Sequence, residues 1–282
     1  MIEFTKMEGL GNDYVYVDCT NKSDLEIDSI SKLASRMSDR HFGIGSDGLI
    51  LICRSDVADF RMQMYNQDGS QAEMCGNGIR CVGKFVYDKG LTDKNVITIE
   101  TLAGIKKLDM HVENKEVDSI TVNMGKPIFE DALIPCIATD KENDISHVKI
   151  DVLDKSFDFT CVSMGNPHAI AIVDDVSNFD VKKYGELVEC DKHFPQKTNV
   201  EFIEIVDECT IKMRVWERGA GETLACGTGA SASVVACILN GFVKNQSIEV
   251  QLLGGNLNIR WDEDVFMTGP AKIVFEGKYI IK

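Results

Sequence analysis

The sequence is short of proline, with 5 in 282 residues, and holds only 2 tryptophans and 7% aromatic residues. So little proline excludes a Pro-rich linker, and with 44% hydrophobic and 27% charged residues the composition is that of an ordinary globular chain. No apolar run approaches the roughly 18 residues of a membrane-crossing helix. The start, MIEFTKMEG, has no signal core, so a cytoplasmic protein without a membrane partner is expected. Basic residues are scarce too: 30 Lys and Arg stand against 45 Asp and Glu, a formal net charge of -15. Such a chain repels a phosphate backbone, which argues against nucleic acid and obliges any small anionic ligand to find a locally positive pocket. CxxC pairs and Cys/His combs are absent, so the 10 cysteines suggest no metal site. In a reducing compartment most of them read as core fillers, with one or two reactive.

What is present begins with length enough for about two domains at roughly 150 residues each. FRMQMY (60–65), VYVD, LILIC and VITIETL read as strands between Gly, Asn and Asp turns. Helical spacing covers 28–39, with Ile30, Leu33, Ala34 and Met37 on one face, and 76–89, with Ile79, Val82, Phe85 and Val86 on one face. Two further helices are predicted at about 180–190 and 227–240, and Gly90 and Gly241 supply stops.

Set side by side, the halves repeat. FRMQMYNQDGSQAEMCGNG and IKMRVWERGAGETLACGTG align at one constant offset of 151 residues, which pairs Tyr65 with Trp216, Cys75 with Cys226, Gly90 with Gly241 and Gly104 with Gly255. Upstream, GNDYVYVD resembles GNPHAIAIVD, and His41-Phe42 matches His193-Phe194, at slightly larger offsets. The predicted fold is therefore α+β: two pseudo-symmetric domains from an internal duplication, each a mainly antiparallel sheet with a helix packed on it. The expected domains are 1–119 and 120–271, with a terminal strand at 272–282 returning to the first.

Each copy sets a cysteine before Gly-x-Gly at a helix start. Glycine admits close backbone approach, the first-turn N–H groups bind anions, and the helix's positive end favours a thiolate. If the copies face one ligand, Cys75 and Cys226 lie on opposite sides of it. One thiolate then removes an amino acid's α-proton, while the opposite thiol protonates the other face and both helix starts hold the carboxylate; neither metal nor pyridoxal is needed. Taken singly, the features have plainer explanations. Cys75 alone reads as a core residue, His168 as a hydrogen-bonded core histidine, and Asn12, Asn66, Asn166 and Asn199 as turn residues. Glu217-Arg218 alone reads as a solvated ion pair. GAGETLACGTGAS lacks the Gly-Lys-Ser/Thr of a phosphate loop.

GLGNDYV, MCGNGIRC, MGNPHA, TNVEF and ERGAGETLACGTGA, five separated motifs that occur in the right order, resemble the diaminopimelate epimerase family across essentially the whole chain. The resemblance implies cofactor-independent interconversion of LL- and meso-diaminopimelate, a step in lysine and peptidoglycan precursor synthesis, by an enzyme whose domains each wrap a sheet around a central helix. It makes Cys75 and Cys226 the acid/base residues, with His168 as neighbour of Cys75 and Glu217 as neighbour of Cys226. It assigns substrate contacts to Asn12, Asn66, Gly76, Asn77, Asn166, Asn199, Glu217, Arg218, Gly227 and Thr228, with Arg218 as a forked clamp on a distal carboxylate. It also implies a homodimer. Two positions depart from the family pattern: Gly48, where some members carry glutamine, and Phe275, where many carry a tyrosine at the dimer contact. The rivals are a proline or hydroxyproline racemase of the same architecture, which has little use for Arg218, and a non-catalytic anion- or metal-binding module.

Overall fold

The computed structural model describes residues 1–21, 30–142 and 145–281. In chain order the first elements are β1 (Ile2–Gly9), β2 (Asn12–Cys19), α1 (Ile30–Ser38), β3 (Gly48–Cys53), β4 (Phe60–Asn66), β5 (Gln71–Ala72), α2 (Gly76–Asp88), β6 (Val96–Thr101), β7 (Gly104–Glu113) and β8 (Glu116–Gly125). There follow β9 (Asp140–Glu142), β10 (Ile145–Val152), β11 (Lys155–Ser163), β12 (Pro167–Ile172), α3 (Val181–Glu189), β13 (Asn199–Asp207) and β14 (Thr210–Glu217). The chain ends with β15 (Gly221–Thr223), α4 (Gly227–Leu239), β16 (Ser247–Leu252), β17 (Gly255–Trp261), β18 (Val265–Pro270) and β19 (Lys272–Tyr279). All four predicted helices form; residues 28 and 29 of the first lie outside the described residues. The chain divides into two compact units, Met1–Asn123 with Thr268–Lys282, and Met124–Met267.

In the first unit β1 pairs antiparallel with both β19 and β2, β2 runs parallel to β3, β3 is antiparallel to β4, β4 runs parallel to β6, and β6 and β7 continue antiparallel. The second unit repeats this order with β10, β11, β12, β13, β14, β16 and β17. A parallel pair cannot be closed by a tight turn and needs a crossover, and a helix supplies it each time: α1 between β2 and β3, α2 between β4 and β6, and α3 and α4 at the matching places. The duplication is thus one of topology as well as of sequence.

The periodic apolar stripe of α2 understates its burial, because every residue from Gly76 to Val86 is buried. The helix packs against β1, β2 and β7 and carries two cations inward. Lys84 Nζ donates to Val117 O at 2.7 Å and pairs with Asp88 at 2.7 Å, while Arg80 Nε donates to Pro270 O at 3.1 Å and its Nη1 to Gly76 O at 3.3 Å. In α4 small and apolar residues run all round, as suits a helix with no solvent face. Both helices stop as the sequence implies, at Gly90 and Gly241, each with φ of 70°.

On the outer side of each sheet, α1 covers Val15, Val17, Leu49 and Leu51, and α3 covers an aromatic group in which Phe179 lies 4.5 Å from Phe202. One repeated pair diverges. Phe194 is buried in this second core, whereas Phe42 stands 93% exposed on its turn.

Candidate active site

Both cysteines sit at the N-caps of the central helices. Cys75 has φ −132° and ψ 122°, and Cys226 has φ −120° and ψ 111°, extended values that turn the chain into the first helical turn. Each sulfur accepts a backbone N–H three residues on, Cys75 from Gly78 N and Cys226 from Gly229 N, both at 3.4 Å. Sulfur here takes the place of the usual Ser, Thr or Asp oxygen, and the helix's positive end lies against it. Gly76-Asn77 and Gly227-Thr228 form the first turns, whose N–H groups have no acceptor within the helix and suit a carboxylate.

In the first unit, Cys75 is half-buried and donates S–H to Asn12 Oδ1 at 3.1 Å. The Asn12 amide cannot turn over, because its Nδ2 donates to the Asp47 carboxylate at 2.7 Å and a carboxylate only accepts. Asp47 in turn receives Asp13 N at 3.0 Å and Arg40 Nη2 at 2.8 Å. Arg40 also pairs with Asp13, as does the buried Lys6. Burial pushes the Asp13 carboxyl up, but hydrogen bonds from Arg40 and Lys6 outweigh it and hold the group below its ordinary range. Asn66 closes a turn, its Nδ2 donating to Ser70 Oγ at 3.0 Å. Gly48 admits no side chain: a Cβ there would lie 2.1 Å from Tyr65 O.

The second unit gathers more charge. Cys226 is 6% exposed. Burial pushes its thiol well above the ordinary value, and the carboxylates of Glu217 and Glu201 push it further, against the hydrogen bonds of Thr228 and Gly229. Glu217 lies near enough to Cys226 to act on it by charge and accepts from Thr223 Oγ1 at 2.5 Å; burial pushes its carboxyl up as well. Thr228 Oγ1 lies 3.4 Å from Cys226 Sγ and accepts from Asn166 Nδ2 at 3.2 Å. His168 is fully buried, with Nδ1 2.7 Å from Glu201 Oε1 and Nε2 3.1 Å from Asn166 Oδ1. Asn199 joins the loop to the strand: its Nδ2 donates to Pro167 O at 2.7 Å and its Oδ1 accepts Arg218 N at 2.9 Å. The Arg218 guanidinium is exposed, donates to Gln196 O at 3.3 Å, and has no carboxylate partner among the described residues.

The structure therefore brings Asn12 to Cys75, and Asn166, Thr228 and Glu217 to Cys226, with His168 one link further along. Asp47, Thr223 and Glu201 enter these networks without having been singled out in the sequence. A signal for Glu201 was there: alternation along TNVEF puts it on the same face of β13 as Asn199.

The chain matches the family model described as Diaminopimelate epimerase over residues 4–130 and 160–274. It is 55% identical over 280 residues to diaminopimelate epimerase of Methanococcus maripaludis, covering 98% of this chain and 99% of that protein. It is 53% identical over 280 residues to diaminopimelate epimerase of Acetivibrio thermocellus, covering 98% of each. Among solved structures, a hydroxyproline epimerase from Agrobacterium vitis with bound trans-4-hydroxy-L-proline shares the fold, with a TM-score of 0.67 at 14% identity over 98% of this chain and 91% of that one. On the family match and the near full-length identity to its members, the chain belongs to the diaminopimelate epimerase family and is an isomerase.

Proposed function

We propose that the protein epimerises LL-2,6-diaminopimelate to meso-diaminopimelate by a two-base thiol mechanism, in the synthesis of lysine and peptidoglycan precursors. The observation that carries this reading is the repeated cap, in which each unit places a cysteine sulfur against the positive end of its own central helix. A thiolate at one cap takes the α-proton, and electron density moves into the substrate carboxylate, which first-turn N–H groups stabilise. The thiol at the other cap gives its proton to the opposite face of the carbon. Cofactors have no part in the scheme. Cys75 and Cys226 exchange acid and base roles when the reaction reverses.

Arg218, exposed and without a carboxylate partner among the described residues, is the residue for the distal carboxylate, and Asn199 fixes its backbone. Asn12, Asn66, Asn77 and Asn166 complete the substrate contacts, and His168 and Glu217 assist the thiols. A cytoplasmic homodimer belongs to the same reading, supported by the exposure of Val274 and Phe275 on β19; sedimentation velocity tests it.

Proton NMR in D2O, without added cofactor and with reductant, tests the chemistry. Wild type is expected to exchange the α-proton of LL-diaminopimelate and form the meso isomer, and Cys75→Ser and Cys226→Ser to lose turnover by at least about 100-fold. Exchange of proline or hydroxyproline instead would move the substrate to the class named for the Agrobacterium structure. No exchange of any amino acid would end the catalytic reading.

A further inference from the structure

Matching positions in the two units hold different side chains around the capping cysteines. A Cβ added to Gly78 would lie 2.9 Å from Ile50 Cδ1, and one added to Gly229 would lie 2.6 Å from Glu201 Oε1. Ile50 on β3 and Glu201 on β13 thus occupy the same place beneath the first turn of the central helix. Where the first unit has a methyl group, the second has a carboxylate with no exposure at all. A charge so buried is costly unless it is paired. The partner of Glu201 is His168, whose Nδ1 is 2.7 Å from Oε1; the other oxygen, Oε2, has no hydrogen-bond partner among the described residues. The registers that pair Tyr14 with Gly48 and His168 with Asn199 make Tyr14 the counterpart of His168, so both members of the pair are particular to the second unit.

From His168 the contacts run on without a break. Nε2 meets Asn166 Oδ1 at 3.1 Å, Asn166 Nδ2 meets Thr228 Oγ1 at 3.2 Å, and Thr228 Oγ1 meets Cys226 Sγ at 3.4 Å. We infer that Glu201 is a positioning residue: by accepting Nδ1–H it makes Nε2 the nitrogen of His168 that gains and loses a proton, and so couples that proton to the state of Cys226 through Asn166 and Thr228.

The coupling follows from which groups can donate. With Nε2 protonated, His168 donates to Asn166 Oδ1, the Asn166 amide donates to Thr228 Oγ1, and the Thr228 hydroxyl hydrogen is left to point at Cys226, favouring thiolate. With Nε2 bare, the amide turns to donate to it, its oxygen takes the Thr228 hydroxyl, and Cys226 loses that donor. Protonated Nε2 and ionised Cys226 are therefore favoured together, and no bond other than hydrogen bonds changes. The charged and titratable groups facing this chain are Glu201 on β13, Glu217 at the end of β14 and Cys226 at the cap of α4. Only the consequence for turnover rests on the epimerase reading.

The test uses the whole protein labelled with 15N in the histidine rings. His168 is expected to keep an N–H signature at Nδ1 throughout a pH titration while Nε2 alone changes; a bare Nδ1 with protonated Nε2 at alkaline pH overturns the proposal, whether or not the protein turns over diaminopimelate. In a folded Glu201→Gln variant, checked by circular dichroism, kcat is expected to fall roughly tenfold or more with KM within about threefold, and the pH profile of kcat to shift. An unchanged profile and kcat would remove Glu201 from the mechanism. Should Glu201→Gln fail to fold, the titration of the wild-type rings decides alone.

Discussion

At the scale of single residues, the two capping thiols differ in their surroundings more than in their geometry. Each accepts one helical N–H, but Cys226 is buried against Glu217 and Glu201, while Cys75 faces a neutral amide held by Asp47. Replacing Glu217 by Gln removes a negative charge beside a buried thiol, so the Cys226 thiolate forms at lower pH. Iodoacetamide labelling of Cys226, followed by peptide mass spectrometry across alkaline pH, is expected to rise earlier in Glu217→Gln than in wild type. Superimposable curves would show that burial alone governs the thiol. The same variant has a stability consequence. A carboxyl whose folded pKa is raised stabilises the fold fully below its unfolded value, near the ordinary 4.5, and loses that contribution as pH rises through the folded value. Above it the ionised Glu217 is a burden on the fold, so Glu217→Gln is expected to melt higher than wild type at mildly alkaline pH while turning over more slowly. The capping positions were legible in the sequence because Cys-Gly-x-Gly recurs at one offset before an apolar helical pattern. Asp47 was not, because a single acidic residue in a turn looks the same whether it faces water or an amide, and Glu201 was marked only by sharing a strand face with Asn199.

Elements were legible where period and stop signals agreed. The three helices whose expected starts are described begin within two residues of them, and the glycine stops hold, because a Gly with positive φ closes each central helix. Burial was harder to read. Arg80 and Lys84 give α2 an amphipathic look, yet both lie inside the unit, where each donates to a main-chain oxygen that no side-chain pattern reveals. Packing between α3 and β14 offers a test at this scale. Gly185 faces Trp216, and an added Cβ would come within 2.6 Å of Trp216 Cβ and 2.8 Å of its Cγ. At the matching place of the first unit the smaller Tyr65 packs on a core that includes Ala34. Gly185→Ala gains about 1 kcal/mol in helix propensity, but overpacking against a near-backbone atom costs about 1–3 kcal/mol. The indole cannot swing clear without breaking its bond from Nε1 to Glu189 Oε2, 2.8 Å long. Urea unfolding is expected to show a net loss of stability, and a gain would mean that the helix shifts freely over the sheet.

For the whole molecule, the duplication was legible because equal spacing over many residues needs no knowledge of contacts. The return of the last strand to the first copy was expected from its place in the chain, after the second copy's pattern is complete, and not from its side chains. β19 has no buried residue, so its apolar pattern names no partner, and its pairing with β1 rests on main-chain bonds from Ile2 opposite Tyr279 to Glu8 opposite Lys272. Two local fits add to them: Phe4 and Phe275 meet edge to face at 5.8 Å, and Gly277 leaves room for the Phe4 ring, which a Cβ there would approach to 2.8 Å. In the first unit β19 holds the place that β10 holds in the second, so the N-terminal copy is completed only by the C-terminal end of the chain. Removing residues 272–282 would leave β1 with one edge of unpaired N–H and C=O groups and a bare Phe4. Hydrogen exchange followed by mass spectrometry is expected to show β1 and then β2 losing protection in the truncated chain, while β13 and β16 keep theirs. Undiminished protection of β1 would mean that the first unit is stable on its own and that β19 only decorates it. Loss of protection in both units alike would mean instead that neither unit holds its fold without a complete partner.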